Sequence, residues 1–147
     1  MLILVVEDEP LVAAVLEWTL KQSGHEVLGP AESVKAAIAL CHESRPDLAL
    51  IDLNLREGGD GIHVAHYLRT RHATPCIFLT PQVVHARAHR HLAWGVVRKP
   101  YHIGIMPQIL DGIMALEDGQ EPVMLPDEIE IFGRPSARGA AIQQDQL

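Results

Sequence analysis

The chain has 147 residues, enough for one compact domain and a short extension; a domain of that size buries roughly 70% of its unfolded surface and needs no staple. A formal net charge of -7 argues against general nucleic-acid binding, and no apolar run approaches the about 20 residues needed to span a bilayer. The start, MLILVVEDEP, lacks the basic region of a signal peptide, and Cys41 and Cys76 sit in apolar contexts without CxxC spacing, so a cytoplasmic protein with buried thiols is expected.

Leu2 to Val6 is a short apolar run of the kind that forms a central parallel strand, and it breaks into Glu7, Asp8 and Glu9. Pro10 opens a helix on which Leu11, Val15 and Trp18 recur at helical spacing until Gly24 stops it. Val27 and Leu28 make a shorter strand. Ser33 caps a second helix whose Val34, Ala37, Ile38 and Cys41 follow one face. Leu48 to Ile51 is again apolar throughout and ends at Asp52, a carboxylate at the rim where open α/β sheets place their ligands. A Gly-containing loop from Arg56 to Asp60 leads to a helix with Ile62, Ala65 and Leu68 on one side.

Cys76 to Leu79 forms a fourth strand ending at Thr80. Any helix in the following segment is short, because Val83, Val84 and Leu92 are scattered among His85, Arg87, His89, Arg90 and His91. Val96 and Val97 suggest a fifth strand that delivers Arg98 and Lys99 to its end, followed by Pro100. A last helix runs from about Ile105 to Leu116, with Pro107 confined to its first turn. Strands alternating with helices at this spacing predict right-handed crossovers and a five-stranded doubly wound sheet. Beyond Gly119 the pattern dissolves into a tail whose last dozen residues read as disordered, although Met124, Leu125, Ile129, Ile131 and Phe132 are too apolar for a purely disordered tail.

Such a sheet gathers Glu7, Asp8, Asp52, Thr80 and Lys99 at one rim. Three carboxylates there repel each other unless a divalent cation bridges them, and Mg²⁺ suits a set of hard oxygen ligands. A metal, an ammonium and a hydroxyl around one nucleophilic carboxylate are what in-line phosphoryl transfer requires. The bland reading of the acidic run is a solvated helix N-terminus. A flavodoxin-like cofactor site is disfavoured, since the turn after the first strand has acids where a phosphate loop needs glycines. His85, His89 and His91 could hold zinc only if helical and joined by another ligand, and a solvated basic face is the simpler reading.

With VVEDEP, the apolar run into Asp52, DGIHVAHYLR, FLT and KPY in this order and spacing, the chain resembles the receiver domain of two-component response regulators over about residues 1–117. The resemblance implies a flavodoxin-like α/β fold with strand order 2-1-3-4-5 and a separate tail, residues 118–147, ordered at most in part. It implies Asp52 as phosphoacceptor, Glu7, Asp8, Asp52 and the Asn54 carbonyl as Mg²⁺ ligands, Thr80 and Lys99 as phosphoryl-binding groups, and a cis bond before Pro100. The donor would be a histidine kinase or histidine phosphotransfer protein. Output would pass to a protein partner, without direct DNA binding or membrane association, and the chain would catalyse only its own phosphorylation and dephosphorylation. A homodimer formed by the fourth-helix to fifth-helix face together with the tail is also expected.

Three departures fall on the switch side. Val96 stands where receivers commonly carry an aromatic that swings inward, Pro81 has no N–H where the residue after the threonine normally donates one, and the stretch from Thr80 to Lys99 is short. The missing aromatic and short helix are similar to the "FAT GUY" subfamily. They also leave an alternative, a phosphorylation-independent docking or dimerisation scaffold.

Overall fold

A computed structural model describes residues 1–121 and 124–135. Five parallel strands, β1 (Leu2–Val6), β2 (Glu26–Ala31), β3 (Leu48–Asp52), β4 (Cys76–Thr80) and β5 (Gly95–Arg98), lie in the spatial order β2-β1-β3-β4-β5. β1, β3 and β4 are wholly apolar until their last residues because both of their faces are covered. Helices α2 (Val34–Glu43), α3 (Ile62–Arg71) and α4 (Val83–Ala88) pack on Leu4, Ala49, Ile51, Phe78 and Val96. Helices α1 (Pro10–Gln22) and α5 (Met106–Glu117) pack on Ile3, Val5, Leu50, Leu79 and Val97. Alternate residues of each strand thus feed opposite cores.

Local signals set the helix starts. Pro10 occupies the first turn of α1, and the Ser33 hydroxyl accepts from the Ala36 N–H at 3.0 Å to cap α2. Helix α4 has only six residues and continues into a 3-10 turn at Arg90–Leu92, as the broken hydrophobic pattern predicts.

The five parallel strands take the expected order, and among the described residues a sixth strand joins them: β6 (Ile129–Ile131) pairs antiparallel with β5, in the register Gly95 with Ile131, Val96 with Glu130 and Val97 with Ile129. The Leu11, Val15, Trp18 stripe has helical spacing but is not the buried face of α1. Those side chains are 82%, 48% and 64% exposed, while Ala13, Leu16 and Leu20 are buried. Both sets have helical spacing, and only the position of the sheet chooses between them. Residues 122–123 and the tail's final twelve residues lie outside the described residues.

Candidate functional site

Register explains why the polar strand ends meet. Val6 sits beside Ile51, Asp52 beside Leu79, and Thr80 beside Arg98, so the residues that terminate β1, β3, β4 and β5 emerge at one height on the same rim. Glu7 and Asp52 are buried to 2% and 4% exposure, Thr80 is fully buried, and Asp8 lies at the mouth. Glu7, Asp8 and Asp52 each offer a carboxylate oxygen within 4.8 Å of the other two. Among the described residues no other group of three or more His, Cys, Asp or Glu side chains converges in this way.

Lys99 is the internal counter-ion. Its ammonium donates to Glu7 Oε1 at 2.6 Å and to Asp52 Oδ2 at 3.1 Å. The other Asp52 oxygen accepts from the Asn54 N–H at 3.0 Å, and the second Glu7 oxygen accepts from the Glu9 N–H at 3.2 Å. Asn54 thus lies in the loop just after β3 and contributes a backbone contact to Asp52. Behind Asp52 the chain passes so closely that a Cβ on Gly61 would come 2.3 Å from the Asp52 carbonyl oxygen. Only glycine permits that approach.

Electrostatics sort the four charges. Burial pushes the Asp52 carboxyl up to about 6, with Glu7 adding to the rise and Lys99 and the Asn54 N–H opposing it. Burial also pushes Glu7 up, but the hydrogen bond and charge of Lys99 outweigh it and hold Glu7 below the ordinary carboxylate range. Asp8 is raised by burial and then by Glu7. Lys99 is raised, because its bonds and proximity to Glu7 and Asp52 overcome the burial that would lower it. The three oxygens and one ammonium leave excess negative charge at the mouth, which a hard divalent cation would neutralise.

Thr80 is held on both sides. Its carbonyl accepts from the Lys99 N–H at 3.1 Å, and its hydroxyl oxygen accepts from the Gln82 N–H at 3.0 Å. Pro81 has no N–H, and its neighbour's N–H is spent on Thr80. The Thr80 hydroxyl proton is therefore available to donate elsewhere. The Lys99–Pro100 bond is cis, and so is Gly29–Pro30, which the sequence reading did not single out.

Several rim contacts were missed from sequence. Arg56 pairs with Glu9 at 2.7 Å and lies 3.9 Å from Asp8, and Asp60 pairs with His85 at 2.7 Å, tying the β3–α3 loop to α4. His85 is therefore engaged with a carboxylate, and its ring stacks edge-on against His89. Spacing of 25 to 48 residues carries no local signal for such pairs. Beside the rim lies a cleft of about 590 Å³, lined by Leu11, Val12, Val15, Pro81, Tyr101 and Lys99, among others. Leu11 and Val15 of the exposed α1 stripe form part of its apolar wall.

Comparison with known proteins gives a consistent picture. Residues 3–116 match the family model described as response regulator receiver domain. A 79-residue stretch is 39% identical to the Phyllosphere-induced regulator PhyR of Methylorubrum extorquens, covering 53% of this chain and 30% of that protein. Among solved structures, the anti-anti-sigma factor PhyR from Bartonella quintana aligns with a TM-score of 0.66 and 25% identity over 80% of this chain and 49% of that one. The receiver domain of NtrX from Brucella abortus aligns with a TM-score of 0.67 and 26% identity over 78% and 98% respectively. The chain thus spans half or less of the two PhyR proteins.

Proposed function

Since the chain belongs to the response regulator receiver domain family, and so acts as a signalling switch, we propose that it is switched by phosphorylation of Asp52. The observation that carries this reading is the near-fully buried Asp52 carboxylate, held by Lys99 at 3.1 Å inside a three-carboxylate cluster. An Asp52 oxygen attacks the phosphorus of a phosphohistidine, the P–N bond breaks, and the imidazole leaves with a proton from solvent. Lys99 is within reach of the equatorial oxygens where charge accumulates, and the Thr80 hydroxyl can donate to one of them. The site fits Mg²⁺: Glu7, Asp8, Asp52 and the Asn54 carbonyl would hold it, and it would supply charge neutralisation to the transferring group. Were Glu7 engaged as a ligand, Lys99 would be free to turn from its shortest bond toward the phosphoryl group.

The phosphodonor is a histidine kinase or histidine phosphotransfer protein, and the apolar cleft beside Lys99 supports docking at the Leu11 and Val15 face. The chain is read as cytoplasmic and as catalysing only its own phosphorylation and dephosphorylation; no helix among the described residues is long and apolar enough to cross a membrane. Output passes through a protein, not through DNA. Similarity to an anti-anti-sigma factor supports a place in that kind of transcriptional control. A homodimer using the α4 to α5 face together with the tail completes the reading.

The test is incubation with Mg²⁺ and a small phosphodonor, followed by intact-mass measurement. One phosphoryl group is expected on the unaltered chain and none on Asp52→Asn. Equal labelling of the two would overturn the choice of acceptor.

A further inference from the structure

Asp60 is shared by three elements. Its Oδ1 accepts from the Ile62 N–H at 2.9 Å at the start of α3, and its Oδ2 lies 2.7 Å from His85 Nε2 on α4. A carboxylate only accepts, so His85 Nε2 carries the proton and donates it to this bond. The His89 ring, edge-on at 5.1 Å, and the bond from His89 Nδ1 to the His85 carbonyl at 3.2 Å flank the donor ring from the same helix. The third element is the β3–α3 loop itself. Asp60 and Asn54 pair across it through a backbone bridge, and inside that bridge the Leu55 N–H donates to the Gly59 carbonyl at 3.2 Å.

Asn54 is the far end of this set of contacts, and it belongs to the site. Its N–H donates to Asp52 Oδ1 at 3.0 Å, and its carbonyl would join Glu7, Asp8 and Asp52 around Mg²⁺. From His85 to Asp52 the path is continuous: imidazole to Asp60 carboxylate, Asp60 to Asn54 through the bridge, Asn54 to Asp52. The loop between does not keep its shape unaided. Arg56 has φ 51°, in the left-handed region that residues other than glycine disfavour, and such a residue persists only where its surroundings hold it. Side chains hold the loop from opposite flanks, Arg56 through Glu9 at 2.7 Å and Asp60 through His85.

We propose that His85 is a positioning residue for the phosphorylation site, acting through Asp60 to hold the loop that presents Asn54 to Asp52 and to the cation, a role that rests on the reading of Asp52 as phosphoacceptor. The side chains of His85 and Asp60 are 36% and 39% exposed, so their pair adds little to overall stability; what it sets is where the loop stands relative to α4. On its other flank α4 is tied to the tail, where Arg87 donates to both Glu130 oxygens, at 2.8 Å from Nε and 2.6 Å from Nη2. Coupling between two sites is reciprocal, so occupation of the site at Asn54 is also felt at His85, and no turning aromatic at Val96 is needed for α4 to register it.

Three variants of the full chain test it. His85→Leu removes the donor, His85→Gln keeps an N–H for Asp60, and Asp60→Ser still caps α3 but is too short to reach His85. Mg²⁺ affinity, measured by calorimetry, should fall about three-fold or more in His85→Leu and stay within about two-fold of the unaltered chain in His85→Gln. Melting temperatures without Mg²⁺ should not separate the two. In the Asp60→Ser background His85→Leu should cost nothing further, because the link is already cut. Equal affinity in His85→Leu and His85→Gln, or a His85→Leu loss undiminished in the Asp60→Ser background, would overturn the role of His85 while labelling of Asp52 on the unaltered chain still stands. No Mg²⁺ binding or no phosphoryl uptake by the unaltered chain would overturn both readings. Should His85→Leu fail to fold, the His85 imidazole resonances must shift on saturation of the unaltered chain with Mg²⁺ and stay in place in Asp60→Ser; unmoved resonances in the unaltered chain would also overturn the proposal.

Discussion

Asp52 and Glu7 are the same kind of acid a few ångströms apart, yet their surroundings move them in opposite directions. Lys99 donates its shorter bond to Glu7, and burial dominates at Asp52. A carboxyl whose folded value exceeds its unfolded one contributes stability that is complete below the unfolded value and lost as pH rises through the folded one. For Asp52 the window runs from 3.8 to about 6, and the full shift corresponds to ~3 kcal/mol. Without metal, Asp52→Asn should therefore gain stability relative to the unaltered chain as pH rises from 4 to 7, by up to about 3 kcal/mol less whatever Lys99 loses as a partner. Urea melts across that range check it; a pH-independent difference would contradict it. Mg²⁺ should stabilise the unaltered chain at pH 7.5 by about 2.7 kcal/mol at a hundred times the dissociation constant, read as a higher melting temperature, and stabilise Asp52→Asn much less.

Among elements, β5 joins chemistry to surface. One end carries Lys99 to the rim, its middle pairs with the tail, and Val96, buried where related domains place a swinging aromatic, lies opposite Glu130. A valine has no ring to turn, so any signal leaving this strand must travel by shifts of backbone and of α4. Gly95→Ala isolates that junction. Its Cβ cannot coexist with the Glu130 carbonyl at 2.3 Å, so β6 should detach while β1 to β5 stay paired. Hydrogen exchange at the Phe132 amide should accelerate at least ten-fold, with the Ala49 amide, bonded to Pro75, unchanged. Equal protection of both amides in the variant would show that the strand tolerates the methyl.

At the scale of the whole molecule, residues 124–135 behave as part of the fold. Arg134 donates to the carbonyls of Leu116 and Glu117 and stacks on Trp94, and Arg69 donates to the Pro135 carbonyl at 2.8 Å. The tail thus links the ends of α3 and α5 across the β5 edge. Its stabilisation comes mainly from apolar burial, because exposed ion pairs add little. Burying Ile129 contributes about 2 kcal/mol, so truncation after Gly119 should lower the melting temperature by roughly 4 to 8 °C with little sensitivity to salt. An unchanged melting temperature would make the tail a solvated appendage.

The sequence by itself determined the five parallel strands, their order through family resemblance, and the five rim residues. Those features are encoded locally: apolar runs long enough for two-sided burial, each broken by a polar residue at its end, brought level by parallel register. The tertiary structure alone decided which stripe of α1 faces inward, because Leu11, Val15, Trp18 and Ala13, Leu16, Leu20 both satisfy helical period and the sheet contacts only one. It alone decided the fate of the tail. Three residues with one acid between two isoleucines carry no strand signal of their own; they become a strand because Gly95 leaves room, Arg87 waits opposite Glu130, and β5 has an edge to complete.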